Sequence, residues 1–182
     1  MSKVLIPLAP GFEEIEAVTI IDLLRRAEID VTVVGLEKSM VTGSHQISIK
    51  CDTYMKDVNI NEYDVLILPG GQPGTNNLKD NETIISWIKK FSQNDQLLGA
   101  ICAAPTVLNA AEILKGKNVT SYPSEKAIFQ NSNYLENNVV KYGNVITSRG
   151  VGTAIEFALE VVNIIKGKIV RDDLAARILW KF

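Results

Sequence analysis

A chain of 182 residues with 46% hydrophobic and 22% charged residues has an ordinary globular composition, which excludes a disordered chain. Its 19 lysines and arginines nearly balance 21 aspartates and glutamates, so no basic surface points to nucleic acid or to an anionic membrane. From the usual size of domains we expect a single domain over residues 1–182.

Short apolar runs that end at glycine or proline alternate along the chain with segments of helical periodicity. Strands are predicted over 3–9, 31–35, 64–68, 97–101 and 119–121, followed by a hairpin of 139–142 and 144–148 that turns at Gly143. Helices are predicted around 17–27 and over 82–91, 105–113, 153–166 and about 171–180, and 37–50 has the pattern of loops and minor strands. This alternation predicts an α/β fold with a mostly parallel sheet that is covered on both faces.

Unusual residues follow four of the predicted strands. They are the segment 11–16, the pair Gly70-Gly71, Cys102, and the segment 148–150. Ligands of such sheets bind at the carboxyl ends of the strands. The sequence therefore predicts that these four segments meet in one functional site.

Cys102 stands between an apolar strand and a helix that begins at Pro105, with small residues on both sides. This is the pattern of a nucleophile elbow, in which a sharp strand-to-helix turn presents a reactive side chain. A helix N-terminus next to the sulfur would favour the thiolate, so we expect a lowered pKa and a readily oxidised cysteine. The alternative is a buried structural cysteine in a tight turn.

The glycine pair Gly70-Gly71 permits a turn whose amides point toward an anion, and Gly71 is a candidate oxyanion-hole donor. A plain tight turn is the alternative. Neither this segment nor 150–152 has the spacing of a dinucleotide fingerprint, and no phosphate loop occurs. These segments therefore do not predict a bound nucleotide.

Three glutamates open the first predicted helix. For Glu13 and Glu14 we expect the ordinary role of complementing the helix dipole. Glu16 would point inward with the apolar stripe, where a carboxyl group stays protonated or hydrogen-bonded and can exchange a proton with a thiolate. Arg149, at the end of another strand, is a candidate partner for Glu13 or Glu14, and a surface ion pair is the alternative.

The histidine and cysteine content limits metal binding and suggests a compartment. One histidine, His45, and two cysteines, Cys51 and Cys102, cannot complete a zinc site from these residue types alone, so we expect no metal. The sequence has no recognisable leader and no run of 18 apolar residues. We expect a cytoplasmic protein with free thiols and no membrane span.

Four motifs in this order resemble the ThiJ/PfpI superfamily, most closely its DJ-one branch, over nearly the whole chain. The motifs are GFEEIE at 11–16, LPGG at 68–71, AICAAP at 100–105 and TSRG at 147–150. The resemblance implies a flavodoxin-like three-layer sandwich, usually a homodimer, without a cofactor. It also implies that Cys102 is the reactive cysteine, that Glu16 is the protonated carboxyl group beside it, and that Gly71 and Ala103 supply oxyanion-hole amides.

The chain departs from relatives at several positions. Ala103 follows the cysteine where protease-like members carry histidine, so a peptidase is not expected. Tyr122 stands where close relatives carry a histidine beside the cysteine. His45 falls near a basic position at the family's dimer-facing side and could reach the site of a neighbouring subunit. Cys51 resembles a second family cysteine, which is structural or a secondary site of oxidation.

The resemblance implies two main functions. One is a glutathione-independent glyoxalase or deglycase, in which Cys102 adds to methylglyoxal, glyoxal or a glycation adduct and Glu16 moves the proton. The other is a non-enzymatic sensor of oxidative stress or a redox-regulated chaperone, which acts through oxidation of Cys102. A third, older family label is thiamine biosynthesis, for which the sequence has no recognisable thiazole-phosphate site.

Overall fold

The computed structural model describes residues 2–181, in which strands and helices alternate as predicted. The strands are β1 (Lys3–Leu8), β2 (Asp30–Gly35), β3 (Met40–Thr42), β4 (Ser48–Lys50), β5 (Thr53–Tyr54), β6 (Val65–Leu68), β7 (Leu97–Ile101), β8 (Asn118–Val119), β9 (Asn133–Tyr134), β10 (Val139–Tyr142) and β11 (Val145–Ser148). The helices are α1 (Glu14–Arg26), α2 (Gly74–Lys79), α3 (Glu82–Gln93), α4 (Pro105–Ala110), α5 (Ala154–Lys166) and α6 (Lys168–Arg177).

Seven strands form the central sheet, in the order β10-β11-β7-β6-β1-β2-β5. All neighbouring pairs are parallel except β10 and β11, which form the predicted antiparallel hairpin around Gly143. Strands β3 and β4 form a separate hairpin, and β8 pairs with β9. The chain leaves β1 toward one edge of the sheet and returns to its other side at β6, so the sheet has a topological switch point between these two strands.

Both faces of the sheet are covered, because the apolar strands send alternate side chains to opposite sides. Along β1, Val4 and Ile6 join the core beneath α1, α5 and α6, whereas Leu5 joins the core beneath α3 and α4. The apolar stripe of α3 and Phe157 of α5 are fully buried on their respective sides. The result is the predicted three-layer arrangement.

Some elements differ from their predicted bounds. Helix α2 was not predicted, because its sequence GTNNLK has no apolar periodicity. Helix α4 ends at Ala110, three residues before the predicted end, and Glu112 adopts a left-handed φ of 63° just after it. Helix α6 begins at Lys168, before the predicted start at about residue 171. Gly167, with φ 88°, ends α5 and turns the chain directly before α6.

Four strands, β1, β6, β7 and β11, end at the same edge of the sheet. The segments that follow them are the four that the sequence analysis singled out, so the predicted convergence is confirmed. In residues 2–181 we find no helix with the length and apolar character needed to cross a bilayer.

Candidate active site

Cys102 lies directly after β7 in the predicted elbow. Its backbone has a φ of 64°, in the left-handed region that non-glycine residues seldom adopt. The Cys102 amide donates to the carbonyl of Ser148 (3.0 Å), and its carbonyl accepts from the amide of Tyr122 (2.7 Å). Hydrogen bonds from two neighbouring segments therefore hold the elbow in this conformation.

Two backbone amides approach the Cys102 sulfur. The amides of Ala103 and Gly71 both hydrogen-bond it and act to lower the pKa of the thiol. These are the two amides that the family resemblance proposes as oxyanion-hole donors. They can hold negative charge on the sulfur or on an atom bonded to it.

Glu16 is fully buried beside this sulfur. Its Oε2 accepts a hydrogen bond from the Gly70 amide (2.9 Å). Its Oε1 has no partner at hydrogen-bond distance and angle among residues 2–181, and the Cys102 thiol contacts the carboxyl group. Burial raises the pKa of Glu16 to about 7, although the hydrogen bonds from Gly70 and Cys102 oppose the rise.

The Cys102 pKa differs from the sequence expectation, which was a lowered value. Burial of the sulfur, together with the adjacent Glu16 carboxylate, raises the pKa of Cys102 to about 12. Helix α4 has only six residues, and its first turn does not offset the loss of solvent. The charge of Glu16 opposes ionisation of the thiol, so Glu16 and Cys102 titrate as a pair.

The two glycines after β6 allow this close packing. A Cβ on Gly70 would lie 2.6 Å from the Cβ of Cys102 and 2.8 Å from Oε2 of Glu16. Gly71 has a φ of 95°, and a Cβ there would lie 2.3 Å from the amide nitrogen of Glu13. The turn therefore requires glycine at both positions.

A cleft of about 580 Å³ opens over the sulfur, and Tyr122, Arg149 and Gly150 contribute to its walls. Tyr122 is half-exposed. Gly150 also lies close to the centre, because a Cβ on it would lie 3.9 Å from both the Cys102 sulfur and Glu16 Oε1. The sequence analysis missed this contact, although Gly150 ends the TSRG motif that drew attention to the segment.

Arg149 does not pair with Glu13 or Glu14, so that prediction was wrong. Its Nη1 donates to the carbonyl of Glu136 (2.7 Å), and its charge lies near the Glu136 carboxylate. The segment after β9 brings Glu136 to this side of the cleft, a long-range placement that no local pattern signals.

Glu14 has a larger role than the expected one at a helix N-terminus. It is buried, and Oε2 lies 3.0 Å from Nδ1 of His45 while Oε1 accepts from the His45 amide (2.6 Å). Burial acts to raise the pKa of Glu14, but hydrogen bonds from His45 and Ile47 outweigh it and lower the pKa to about 2. Glu14 thus fixes the β3–β4 hairpin to α1.

The His45 side chain is held by Glu14, and it does not line the cleft of its own chain. Within the described part of the chain, Glu13, Glu14 and His45 form one set of three potential metal ligands, with the ligand atoms within 4.8 Å of one another. Hydrogen bonds among these side chains and to Ser44 already explain why the three potential ligand atoms lie close together.

Cys51 is a free cysteine away from the cleft, and Cys102 is free as well. The Cys51 side chain is buried in the core beneath α1, and burial raises its pKa to about 11. Cys51 therefore has neither the exposure nor the amide donors of Cys102.

Comparison with known protein sequences identifies the family to which this chain is similar. The profile of the DJ-1/PfpI family matches residues 2–164. Protein dj-1beta of Drosophila melanogaster is 42% identical over 183 residues, 98% of each chain. The glutathione-independent glyoxalase DJR-1.2 of Caenorhabditis elegans is 36% identical over 156 residues, 85% of this chain and 83% of that protein. Protein DJ-1 homolog B of Arabidopsis thaliana is 38% identical over 168 residues, and the chain spans 38% of its length.

Solved structures of similar proteins have the same fold as this chain. The crystal structure of Drosophila melanogaster DJ-1beta superposes with a TM-score of 0.96 at 41% identity, over the whole of both chains. Oxidized DJ-1 of Toxoplasma gondii also gives 0.96, at 35% identity and full coverage of both chains. The predicted flavodoxin-like α/β fold is confirmed. The end-to-end match in sequence and in fold shows that the chain belongs to the DJ-1/PfpI family.

Proposed function

We propose that this chain is a cysteine-dependent, glutathione-independent glyoxalase that acts on methylglyoxal and related dicarbonyls, and also on glycation adducts once the C–N bond to the former aldehyde carbon breaks and the amine leaves. The observation that carries the proposal is the contact of Glu16 with Cys102 beneath two amides that point to the sulfur. The name of the Caenorhabditis elegans relative, a glutathione-independent glyoxalase, supports it.

The first step is addition of the sulfur to the aldehyde. The Cys102 proton passes to Glu16 while the sulfur forms a bond to the aldehyde carbon, and the carbonyl electron pair moves to oxygen. The amides of Gly71 and Ala103 stabilise this oxyanion. Glu16 then returns the proton to the oxygen, which gives a neutral hemithioacetal on Cys102.

The second step moves a hydrogen between the two carbons. Glu16 removes the proton from the former aldehyde carbon and passes it to the ketone oxygen, which gives an enediol. The second carbon then gains a proton while the hydroxyl on the sulfur-bearing carbon loses one to Glu16. The product is an α-hydroxy thioester, which water hydrolyses to lactate and the free thiol. The balance is methylglyoxal plus water to lactate, with no oxidant and no cofactor.

Glu16 is the base and the acid throughout this scheme. A pKa of about 7 suits both roles near neutral pH, because each protonation state is then well populated. Tyr122 at the family's histidine position does not remove a required group, since the scheme needs no histidine.

The test is lactate formation from methylglyoxal without glutathione, in amine-free buffer. We expect turnover by the parent and by Cys51→Ser, the matched control, and none by Cys102→Ser. Equal lactate from the parent and Cys102→Ser would refute the proposal.

A second candidate function is a sensor of oxidation, favoured by the partly exposed sulfur and by the oxidized form of the Toxoplasma gondii relative. A sulfinate on Cys102 would accept hydrogen bonds from Gly71, Ala103 and protonated Glu16. Peroxide-dependent modification of Cys102 without lactate formation would favour this function over the enzyme.

We further propose that the chain forms a homodimer in the cytoplasm. Ile15 and Val18 of α1 are about half exposed, and Ile47 of the hairpin fixed to α1 is 57% exposed. Such a patch supports a protein interface. Two free thiols support a reducing compartment.

A further inference from the structure

Tyr122 lines the cleft beside Cys102, although the proposed mechanism gives its side chain no role. The side chain is half-exposed. A Cβ built on Gly150 would lie 3.5 Å from Cδ2 of Tyr122 and 3.9 Å from the Cys102 sulfur. The tyrosine ring and the sulfur therefore border the same small space, and a group joined to the sulfur can reach the ring.

The backbone holds Tyr122 in this position before any ligand binds. Its amide donates to the Cys102 carbonyl (2.7 Å), and its own carbonyl accepts from the Glu125 amide (3.0 Å) and from the Ser121 hydroxyl (3.0 Å). Pro123 follows and favours the extended conformation that Tyr122 adopts, with φ −58° and ψ 137°. Because these restraints are already present, little freedom of this segment is lost when a ligand packs against the ring.

Several polar side chains that line the cleft already bind other parts of the protein. Three of them make hydrogen bonds of 2.6 to 3.0 Å, which join Asn138 to Glu156, Arg149 to the Glu136 carbonyl and Thr153 to Ser148. The apolar lining residues are exposed instead. Pro123 adjoins Tyr122 in the chain, and Val151 adjoins Gly150. A ligand near Tyr122 therefore finds mainly apolar surface.

We propose that Tyr122 is a specificity-determining residue, whose ring selects substrates that carry a flat apolar group on the carbon next to the reacting carbonyl. In the Cys102 adduct of an α-oxoaldehyde, this group stands on the second carbon from the sulfur. Aromatic rings attract one another when they are offset or edge-to-face. A phenyl-substituted oxoaldehyde therefore gains a contact that methylglyoxal lacks. The dicarbonyl that carries the group rests on the proposed function, whereas the selection by Tyr122 applies to any electrophile that reaches the sulfur.

The test compares two thiol reagents that differ only in the group they deliver to this space. A thiolate attacks an alkyl methanethiosulfonate, forms a disulfide with the alkylthio group and releases methanesulfinate, while Glu16 takes the proton of the Cys102 thiol. The phenyl group of the benzyl reagent and the methyl group of the ethyl reagent then stand on the second atom from the sulfur, as in the dicarbonyl adducts.

The ratio of benzyl to ethyl rates is measured in a Cys51→Ser background, alone and with Tyr122→Ala, Tyr122→Phe or Tyr142→Ala. Tyr142 is an exposed tyrosine of β10 that does not line the cleft, so Tyr142→Ala is the matched control. A small free thiol gives the intrinsic ratio of the two reagents.

We expect the Cys51→Ser protein to exceed the intrinsic benzyl-to-ethyl ratio about fivefold, since an aromatic pair adds to the apolar area buried. Tyr122→Phe and Tyr142→Ala should keep this preference, whereas Tyr122→Ala should bring the ratio close to the intrinsic value. An intrinsic ratio in the Cys51→Ser protein, or a preference that survives Tyr122→Ala, would overturn the inference. The first comparison needs no change at Tyr122, so it decides even if Tyr122→Ala folds poorly.

Turnover gives a second readout of the same selection. Tyr122→Ala should lower kcat/KM for phenylglyoxal, measured as mandelate, relative to kcat/KM for methylglyoxal, measured as lactate, and Tyr142→Ala should leave this ratio unchanged. A benzyl preference that depends on Tyr122, in a protein that forms neither acid, would refute the glyoxalase proposal and support the role of Tyr122. Lactate formation without any benzyl preference would do the reverse.

Discussion

Glu16 and Cys102 meet across Gly70, whose amide holds one oxygen of the carboxyl group while its missing side chain leaves room for the sulfur-bearing carbon. The carboxyl group and the thiol are therefore close enough to exchange a proton. This relationship sets the expected behaviour of the protein in several experiments.

Glu16→Gln should lower methylglyoxal turnover by about 100-fold or more, since glutamine cannot accept and return the proton. The amide oxygen of glutamine can still accept from Gly70, so the fold should persist. Lactate assays with circular dichroism on the same samples measure both quantities. Near-parental turnover would exclude Glu16 as the proton carrier, and Glu62→Gln is the surface control.

The raised pKa of Glu16 should also appear in the pH dependence of stability. In the unfolded chain the group ionises near its ordinary value of 4.5, whereas in the folded chain it ionises near 7. The folded state binds more protons in this window, so stability falls as pH rises from about 4.5 to about 7, by roughly 3 kcal/mol. Glu16→Gln should lack this loss.

Denaturant unfolding at pH 4.5 and at pH 7 measures this loss of stability. The quantity compared is the difference in unfolding free energy between the parent and Glu16→Gln, because the contributions of the other titrating groups cancel in that difference. A difference that stays constant across this range would mean that folding does not raise the pKa of Glu16.

Gly71→Ala should cost roughly 3 kcal/mol of stability or more, because its positive φ and the contact with the Glu13 amide both oppose a Cβ. It should also reduce turnover by displacing an amide from the sulfur. Gly143→Ala, at a positive φ with open space around it, is the matched control and should cost about 1 kcal/mol with turnover unchanged. Equal costs would contradict the close packing at Gly71.

Low concentrations of peroxide should add oxygen to Cys102 before Cys51. Cys102 is partly exposed, contacts two amides and lies beside Glu16, which can accept its proton, whereas the Cys51 side chain is buried away from peroxide. Peptide mass spectrometry over a peroxide series gives the order directly. If Cys51 gained oxygen first, the assignment of the reactive thiol would be wrong.

Val18→Glu should shift the protein from dimer to monomer in sedimentation experiments, because it places a charge in the exposed patch on α1. The matched control is Ile169→Glu on α6, which is 79% exposed. Dissociation by both variants, or by neither, would argue against the proposed face.

The sheet and the site centre were predictable because each depends on short patterns. Buried strands appear as apolar runs, and the elbow appears as a cysteine between a strand and Pro105. Strand order then brings the four turns together without further information. Strand β8 was predicted over 119–121 and lies at Asn118–Val119, and β5 and β9 were not predicted, because two residues carry no periodicity.

Contacts between distant segments account for the remaining differences. The hydrogen bonds of Glu14 to His45 and of Arg149 to Glu136 join loops whose approach depends on the finished sheet. The same applies to the pKa of Cys102, where burial and the Glu16 carboxylate outweigh the local amides. The sequence shows which titratable side chains are present, whereas the packing around them determines their pKa values and therefore their charge.

The strand order also affects the nascent protein. The segment that ends at Ser148 is synthesised well after Cys102, and its carbonyl accepts the amide of the elbow. Until β11 pairs with β7, Cys102 belongs to an incomplete sheet and should titrate like an ordinary thiol, without the Gly150 backbone above it. Chains still on the ribosome should therefore be alkylated at Cys102 faster than the folded protein, so that reagent labelling there reports completion of the fold.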